Sequence, residues 1–219
     1  MTEVRIDPAV ASYLRLGVVE ADAVTVRDHD PGVWAEIEAV SARLREAYAG
    51  REPSGIGGVR PARELYHRIG VDPTKLRPSS EALLRRVLRG GGLPRINSLV
   101  DICNLCSLEF LLPIGLHDLD RTTGGIVLRR GRPGEGYEAI GKGWYAADGR
   151  LVAADDEGPC GSPTSDSQRT MITGATRRCL MLIYAPSSYE PARLEAHVAA
   201  TAGRLTRFAG GRIVQAGVR

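Results

Sequence analysis

The 219-residue sequence has no apolar run long enough to cross a bilayer: its longest, residues 179–186, falls far short of the roughly 20 residues a spanning helix needs. The first ten residues, MTEVRIDPAV, lack the charged-then-apolar layout of a secretory signal, so a cytoplasmic location with no membrane partner is expected. Cysteine is scarce, and disulfides are disfavoured in that compartment. Cys103 and Cys106 form a lone CxxC, with no second CxxC and no histidine at zinc-finger spacing. In an apolar stretch the pair reads as small core residues ahead of a zinc or redox site, so no metal or cofactor is expected. GxSxG, Walker A and GxGxxG patterns are missing, and no repeat or low-complexity tract occurs. The net charge of +3 is too mild for a generic nucleic-acid binder with a large basic field.

What is present suits an ordinary globular chain: 43% hydrophobic and 25% charged, with 26 Gly and 13 Pro that predict many turns and substantial β structure. Residues 49–58, AGREPSGIGG, read as a linker, dividing an N-terminal section (1–58) that packs on the main body from the body itself (59–219). A strand is predicted over 16–26, and Trp34, Ile37, Leu44 and Tyr48 approximate one helix face. Proline at the start of 61–69 suits a short helix. Ser79 is placed to cap a helix whose buried face is Leu83, Leu84, Val87 and Leu88, ended by the glycines at 90–92. Strands follow at 125–130 and 137–140, then a hairpin with Asp148 and Gly149 between WYAA and RLVAA. A strand at 178–184, a helix at 191–208 and a last strand at 212–218 complete an α+β fold, a mixed sheet with flanking helices.

The most informative stretch is residues 77–120. Asn97 or Ser98 can cap a helix with Leu99, Ile102, Cys103, Cys106 and Phe110 as apolar contacts, which makes that helix central. Along it, Asn97, Asp101 and Asn104 follow i, i+4, i+7 spacing and form a polar stripe. A buried polar group left unbonded costs about 1–3 kcal/mol, so each member either bonds neighbouring backbone or faces a cavity. Asn97 and Asp101 suit the first role and Asn104 the second.

None of the four histidines has a spacing that identifies a hydrolase. His117, beside Asp118 and Asp120, suits an acid, a base or a surface hydrogen-bond donor, the last being favoured. Residues 155–170, DDEGPCGSPTSDSQRT, read as a loop between strands in which Gly161 allows close approach and its N–H neighbourhood can receive an oxyanion. Arg85, Arg86 and Arg89 cluster on one helix, Arg129, Arg130 and Arg132 end a strand, and Arg204, Arg207, Arg212 and Arg219 load the C-terminus; each cluster suits phosphate contact or a solvated face.

The segment LPRINSLVDICNLCSLEFLLPIGLHDLD, followed by GGIVLRR, PGEGYEAIG, the 155–170 segment and RCLMLIY, resembles the B3/B4 domain, the editing domain within the β subunit of phenylalanyl-tRNA synthetase. The resemblance runs over about residues 77–184. Without the remainder of a synthetase in the sequence, the chain is expected to resemble freestanding B3/B4 proteins, for which the resemblance implies a B3/B4-like fold and editing of mischarged tRNA in trans. It places the pocket on Asn104, Gly115 and Gly161, with Cys103 where the family usually has Thr and Gly115 where synthetases commonly have His, a role His117 can substitute. Asp118 joins the expected substrate pocket. The glutamate that reads the hydroxyl of mischarged tyrosine has no counterpart, since no acidic residue lies between Asp166 and Glu190. The implied activity is an aminoacyl-tRNA deacylase acting on an ester other than tyrosyl; the acids Asp118, Asp120 and Asp166 allow a positively charged side chain, an arginine analogue such as canavanine being one candidate. Asn104 would orient water or the α-amino group, N–H groups at Gly161 would hold the oxyanion, and Arg85, Arg86 and Arg89 would contact tRNA phosphates. The competing readings are a non-catalytic tRNA- or RNA-binding module and a binder of free amino acids.

Overall fold

The computed structural model describes all residues, Met1–Arg219. In chain order the elements are β1 (Val4–Ile6), α1 (Pro8–Ala11), β2 (Leu14–Asp22), α2 (Pro31–Ala47), α3 (Arg60–Arg68), α4 (Ser79–Leu88) and α5 (Ser98–Phe110). They continue with β3 (Ile114–Asp118), β4 (Ile126–Arg130), β5 (Gly136–Ala139), β6 (Gly143–Ala146), β7 (Leu151–Asp155), β8 (Gly158–Ser162) and β9 (Ser165–Asp166), then β10 (Cys179–Pro186), α6 (Pro191–Ala209) and β11 (Arg212–Val218). The fold is α+β.

The layering follows from β10. Its sequence, CLMLIYAP, is apolar at every position because both faces of the strand are covered. Side chains alternate across a strand, so Cys179, Met181 and Ile183 enter one core while Leu180, Leu182 and Tyr184 enter another. The antiparallel sheet that divides the cores has the order β11-β2-β10-β3. On one side lie α2, α4, α5 and α6, contributing Trp34, Ile37, Leu84, Val87, Leu99, Ile102, Leu194 and Leu205. On the other lie α3 and a five-stranded sheet, β1-β4-β7-β8-β9, through Leu65, Tyr66, Ile126, Leu128, Leu151 and Cys160. Each leucine removed from water in these layers contributes roughly 1.5–3 kcal/mol.

Several expectations need correction. Residues 49–58 are not a linker: Pro53, Ile56 and Val59 are buried, carried on two single 3-10 turns, Pro53–Gly55 and Gly57–Val59. No break falls at residue 58, because β2 from the first section lies between β11 and β10 from the end of the chain. The predicted hairpin across Asp148 and Gly149 is not a hairpin. β6 pairs with β5, with Tyr137 opposite Tyr145 and their ring centroids 5.1 Å apart, whereas β7 pairs with β4 and β8. That aromatic pair holds β6 in its own two-stranded ribbon, and the turn carries the chain to a different sheet. Residues 155–170 are not one loop but include β8 and β9. Ser79 does not cap α4, whose first-turn residue before it is Pro78 with no side-chain bond to the helix. Instead α4 is anchored by Glu81, a buried carboxylate held by Arg63 of α3 through bonds of 2.7 and 2.8 Å. Removing one partner of such a pair costs about 3–5 kcal/mol.

Candidate active site

α5 positions the site. Its N-cap is Asn97, whose Oδ1 accepts from the Val100 N–H at 3.0 Å. Asp101, buried in the first turn, accepts from the Trp34 indole N–H at 2.8 Å and from the Ile96 N–H at 3.2 Å. Burial pushes the Asp101 carboxyl above its ordinary range, opposed by the Trp34 bond. Two members of the polar stripe are thereby spent on the fold. The third, Asn104, is half-buried, its carboxamide bonds no other protein group, and it faces a cavity of about 500 Å³.

Five structural units enclose that cavity. α4 contributes Ser79, Ala82 and Leu83, spaced i, i+3, i+4 along one face, and α5 contributes Val100, Cys103, Asn104 and Ser107. Ile114 and Leu116 come from β3, Ile140 and Lys142 from the turn joining β5 to β6, and residues 162–166 from the end of β8, its turn and β9. Ile96, Ile140 and Met171 are exposed and give the mouth an apolar rim. A cleft of about 610 Å³ runs beside β4 and β7, but its main charges already engage partners: Arg129 with Glu135 at 2.6 Å and Asp155 with Arg169 at 2.7 Å. The smaller cavity is the better site because Asn104 has no protein partner there and Asp166 accepts only one long bond.

Asp166 is the cavity's carboxylate. Oδ2 accepts one long bond, 3.4 Å, from the Leu116 N–H. Removal from water pushes its pKa up to about 7, against the opposing pull of that N–H and of the Lys142 charge. Lys142 donates to the Thr164 carbonyl at 3.1 Å and the Ser165 hydroxyl at 3.0 Å, leaving a third ammonium proton free. Burial holds the Cys103 thiol well above its ordinary pKa, so it stays protonated. No group of three or more His, Cys, Asp or Glu side chains is arranged to hold a metal ion.

Of the residues expected in the site, only Cys103 and Asn104 line this cavity. His117 is wholly buried rather than on the surface. The Thr170 hydroxyl donates to the Cys160 carbonyl at 3.2 Å, so His117 Nδ1 must donate to Thr170 Oγ1 at 3.2 Å. This assignment leaves Nε2 unprotonated and without a partner, and burial lowers the pKa to about 4, so the ring is neutral. Gly161 makes room for that ring, and Gly115 packs closely against it and Tyr184. A Cβ at Gly161 would meet His117 Cε1 at 2.5 Å, and one at Gly115 would sit 3.3 Å from His117 Nε2 and 3.2 Å from the unbonded Tyr184 hydroxyl. Asp118 is committed elsewhere, accepting from the Thr176 hydroxyl at 2.6 Å and the Asp120 N–H at 3.0 Å. Arg85 and Arg89 border a separate small cleft, and Arg86 donates to the Gly92 carbonyl. Arg129, Arg204, Arg207 and Arg212 are taken up by Glu135, Glu36, Glu109 and Asp22.

Sequence reasoning missed Lys142 and the α4 face as cavity walls. The α4 spacing was available, but Leu83 was counted with the core, whereas it is half-buried against the cavity.

A family model described as the B3/4 domain matches residues 61–198. The phenylalanine–tRNA ligase beta subunit of Bartonella henselae is 32% identical over 105 residues, 47% of this chain and 13% of that protein. That of Chromobacterium violaceum is 29% identical over 155 residues, 67% of this chain and 19% of that protein. The chain thus spans a small fraction of the curated relatives it matches. An N-terminal fragment of the phenylalanyl-tRNA synthetase beta subunit from Pyrococcus horikoshii aligns with a TM-score of 0.47 at 13% identity, covering 96% of this chain and 49% of that one. No helix of the structure is long and apolar enough to cross a membrane.

Proposed function

The chain belongs to the B3/4 domain family, and from that premise we propose that it hydrolyses the ester joining a wrong amino acid to a tRNA, acting in trans on mischarged tRNA. One observation carries the reading: the unbonded carboxamide of Asn104 shares a cavity of about 500 Å³ with the under-bonded carboxylate of Asp166. A free amide beside a carboxylate, inside an apolar rim, suits the ammonium and carbonyl of an aminoacyl ester seated against a nucleoside.

The ester is already activated, so positioning a water supplies much of the rate. Water attacks the carbonyl carbon, the bond to the ribose oxygen breaks, that oxygen takes the proton, and the free amino acid leaves. Asn104 orients the water or the α-ammonium. Asp166, with a pKa near neutrality, suits the water's proton. The oxyanion falls to the free Lys142 proton and the Ser165 hydroxyl rather than to N–H groups at Gly161, which does not line the cavity. Cys103 shapes the wall, whereas Gly115 and His117 act by packing beneath it. Arg85 and Arg89 supply phosphate contacts, whereas Arg86 is held by the Gly92 carbonyl. The absence of the tyrosine-reading glutamate argues for a different amino acid, an arginine analogue such as canavanine being one.

A second reading, binding of tRNA or amino acid without chemistry, is favoured by the burial of His117 away from the cavity and the protonated state of Cys103. Ester loss measured across a panel of mischarged tRNAs decides between them. Accelerated loss from at least one supports hydrolysis; intact tRNA binding with no acceleration anywhere makes the chain a binding module, and binding of free amino acids alone makes it a small-molecule binder.

A further inference from the structure

α4 separates two concave surfaces. Ser79, Ala82 and Leu83 face the cavity with Asn104, while Arg85 and Arg89 line a second cleft of about 250 Å³. Arg45, from the last turn of α2, and Arg51, from the loop beyond it, complete that cleft, which Tyr48 walls on one side. Four arginines line that cleft with a single acidic residue, Glu52. Some arginines elsewhere find acidic partners, among them Arg63, Arg129, Arg169, Arg204 and Arg212, each within 3.1 Å of a carboxylate, whereas others, such as Arg193, stand singly. None of the four in the cleft bonds any carboxylate or carbonyl of the protein. Cations near a helix C-terminus gain about 0.3–1 kcal/mol from the helix dipole, which accounts for Arg45 and Arg85. It does not account for Arg51, which lies in a loop, nor for the meeting of three chain segments with charges of one sign.

We infer that this cleft is a phosphate-binding site for the backbone of a nucleic acid, formed by Arg45, Arg51, Arg85 and Arg89. Guanidinium groups match phosphate oxygens in paired geometry, and four that are unpaired in the free protein lose no internal bond on binding. The six steps from Leu83 to Arg89 span about 9 Å of helix axis, so the cleft and the cavity lie within one strand's reach on either side of α4. The direction of that strand rests on the proposed deacylase reading; the anion site itself stands on the cleft alone. Compared with the sequence expectation, Arg86 leaves the set and Arg45 and Arg51 join it.

The test is the salt dependence of binding to uncharged tRNA, measured for the full chain, for an Arg45→Gln/Arg89→Gln variant, and for Arg193→Gln, an exposed arginine outside the cleft. Each lost phosphate contact reduces the slope of log affinity against log salt by about 0.7 for a single strand and 0.9 for a duplex. The double variant is therefore expected to show a slope shallower by roughly 1.4–1.8, with the same far-ultraviolet spectrum and melting temperature, while Arg193→Gln keeps the parent slope. An unchanged slope in the folded double variant overturns the inference, as does binding of polyglutamate with no binding of tRNA. Because the readout is binding, a chain that hydrolyses no ester but shows the slope change loses the deacylase reading and keeps this site; hydrolysis with an unchanged slope does the reverse.

Discussion

The indole N–H of Trp34 donates to Oδ2 of Asp101 at 2.8 Å, joining α2 to the first turn of α5. The other carboxylate oxygen accepts from the Ile96 N–H, so Asp101 fixes both where α5 starts and how it is rotated. That rotation sends Asn104, three residues on, into the cavity. Trp34→Phe keeps most of the ring and removes the donor, leaving a buried carboxylate oxygen unbonded. It is expected to cost about 1–3 kcal/mol in urea unfolding, and a variant as stable as the parent would mean the bond does not brace α5.

Asp166 sets a pH dependence. Its pKa is pushed from an ordinary 3.8 up to about 7 by removal from water. Between those values the folded chain holds a proton that the unfolded chain has released, so this group's contribution to stability falls as pH rises through the window. Asp166→Asn should therefore melt higher than the parent at pH 8, with the difference disappearing near pH 4. Enzyme-dependent ester loss, after subtraction of spontaneous hydrolysis, should rise through about pH 7 in the parent and lose that inflection in the variant. The same melting difference at both pH values would contradict the assignment.

Gly161→Ala drives a methyl to 2.5 Å from His117 Cε1. Overpacking of this kind costs about 1–3 kcal/mol. His117→Ala removes the obstacle, so in urea unfolding the double variant should be more stable than the sum of the two single effects by about 0.5–3 kcal/mol. Strict additivity would show that Gly161 is not needed to make room for His117.

Much of this architecture was legible because single signals were strong and local. The apolar run at β10 announced a strand, and Asn97 and Asp101 announced their structural bonds by lying on an otherwise apolar helix. Other features were set by partners distant in sequence. Asp148 and Gly149 form a strong hairpin signal, but Tyr137 captures Tyr145 and the ribbon closes with β5 instead. Residues 49–58 were read from their glycines, although Pro53, Ile56 and Val59 recur every third residue, the period of the 3-10 turns that bury them. His117 lacked an alternating context because all of β3 is buried, which hid its place beneath the site. Asp166 stood in a polar run, and only its pairing with Gly161 across β8 and β9 turns it toward Asn104 and the cavity.

The most direct test is single-turnover deacylation by the parent and by Asn104→Ala on whichever mischarged tRNA the parent cleaves. The account predicts a fall of about 10²–10³-fold in the hydrolysis rate, with tRNA affinity and melting temperature unchanged, because the Asn104 carboxamide holds no part of the fold together. Equal rates for the two proteins, or a loss that merely follows weakened binding, would contradict it.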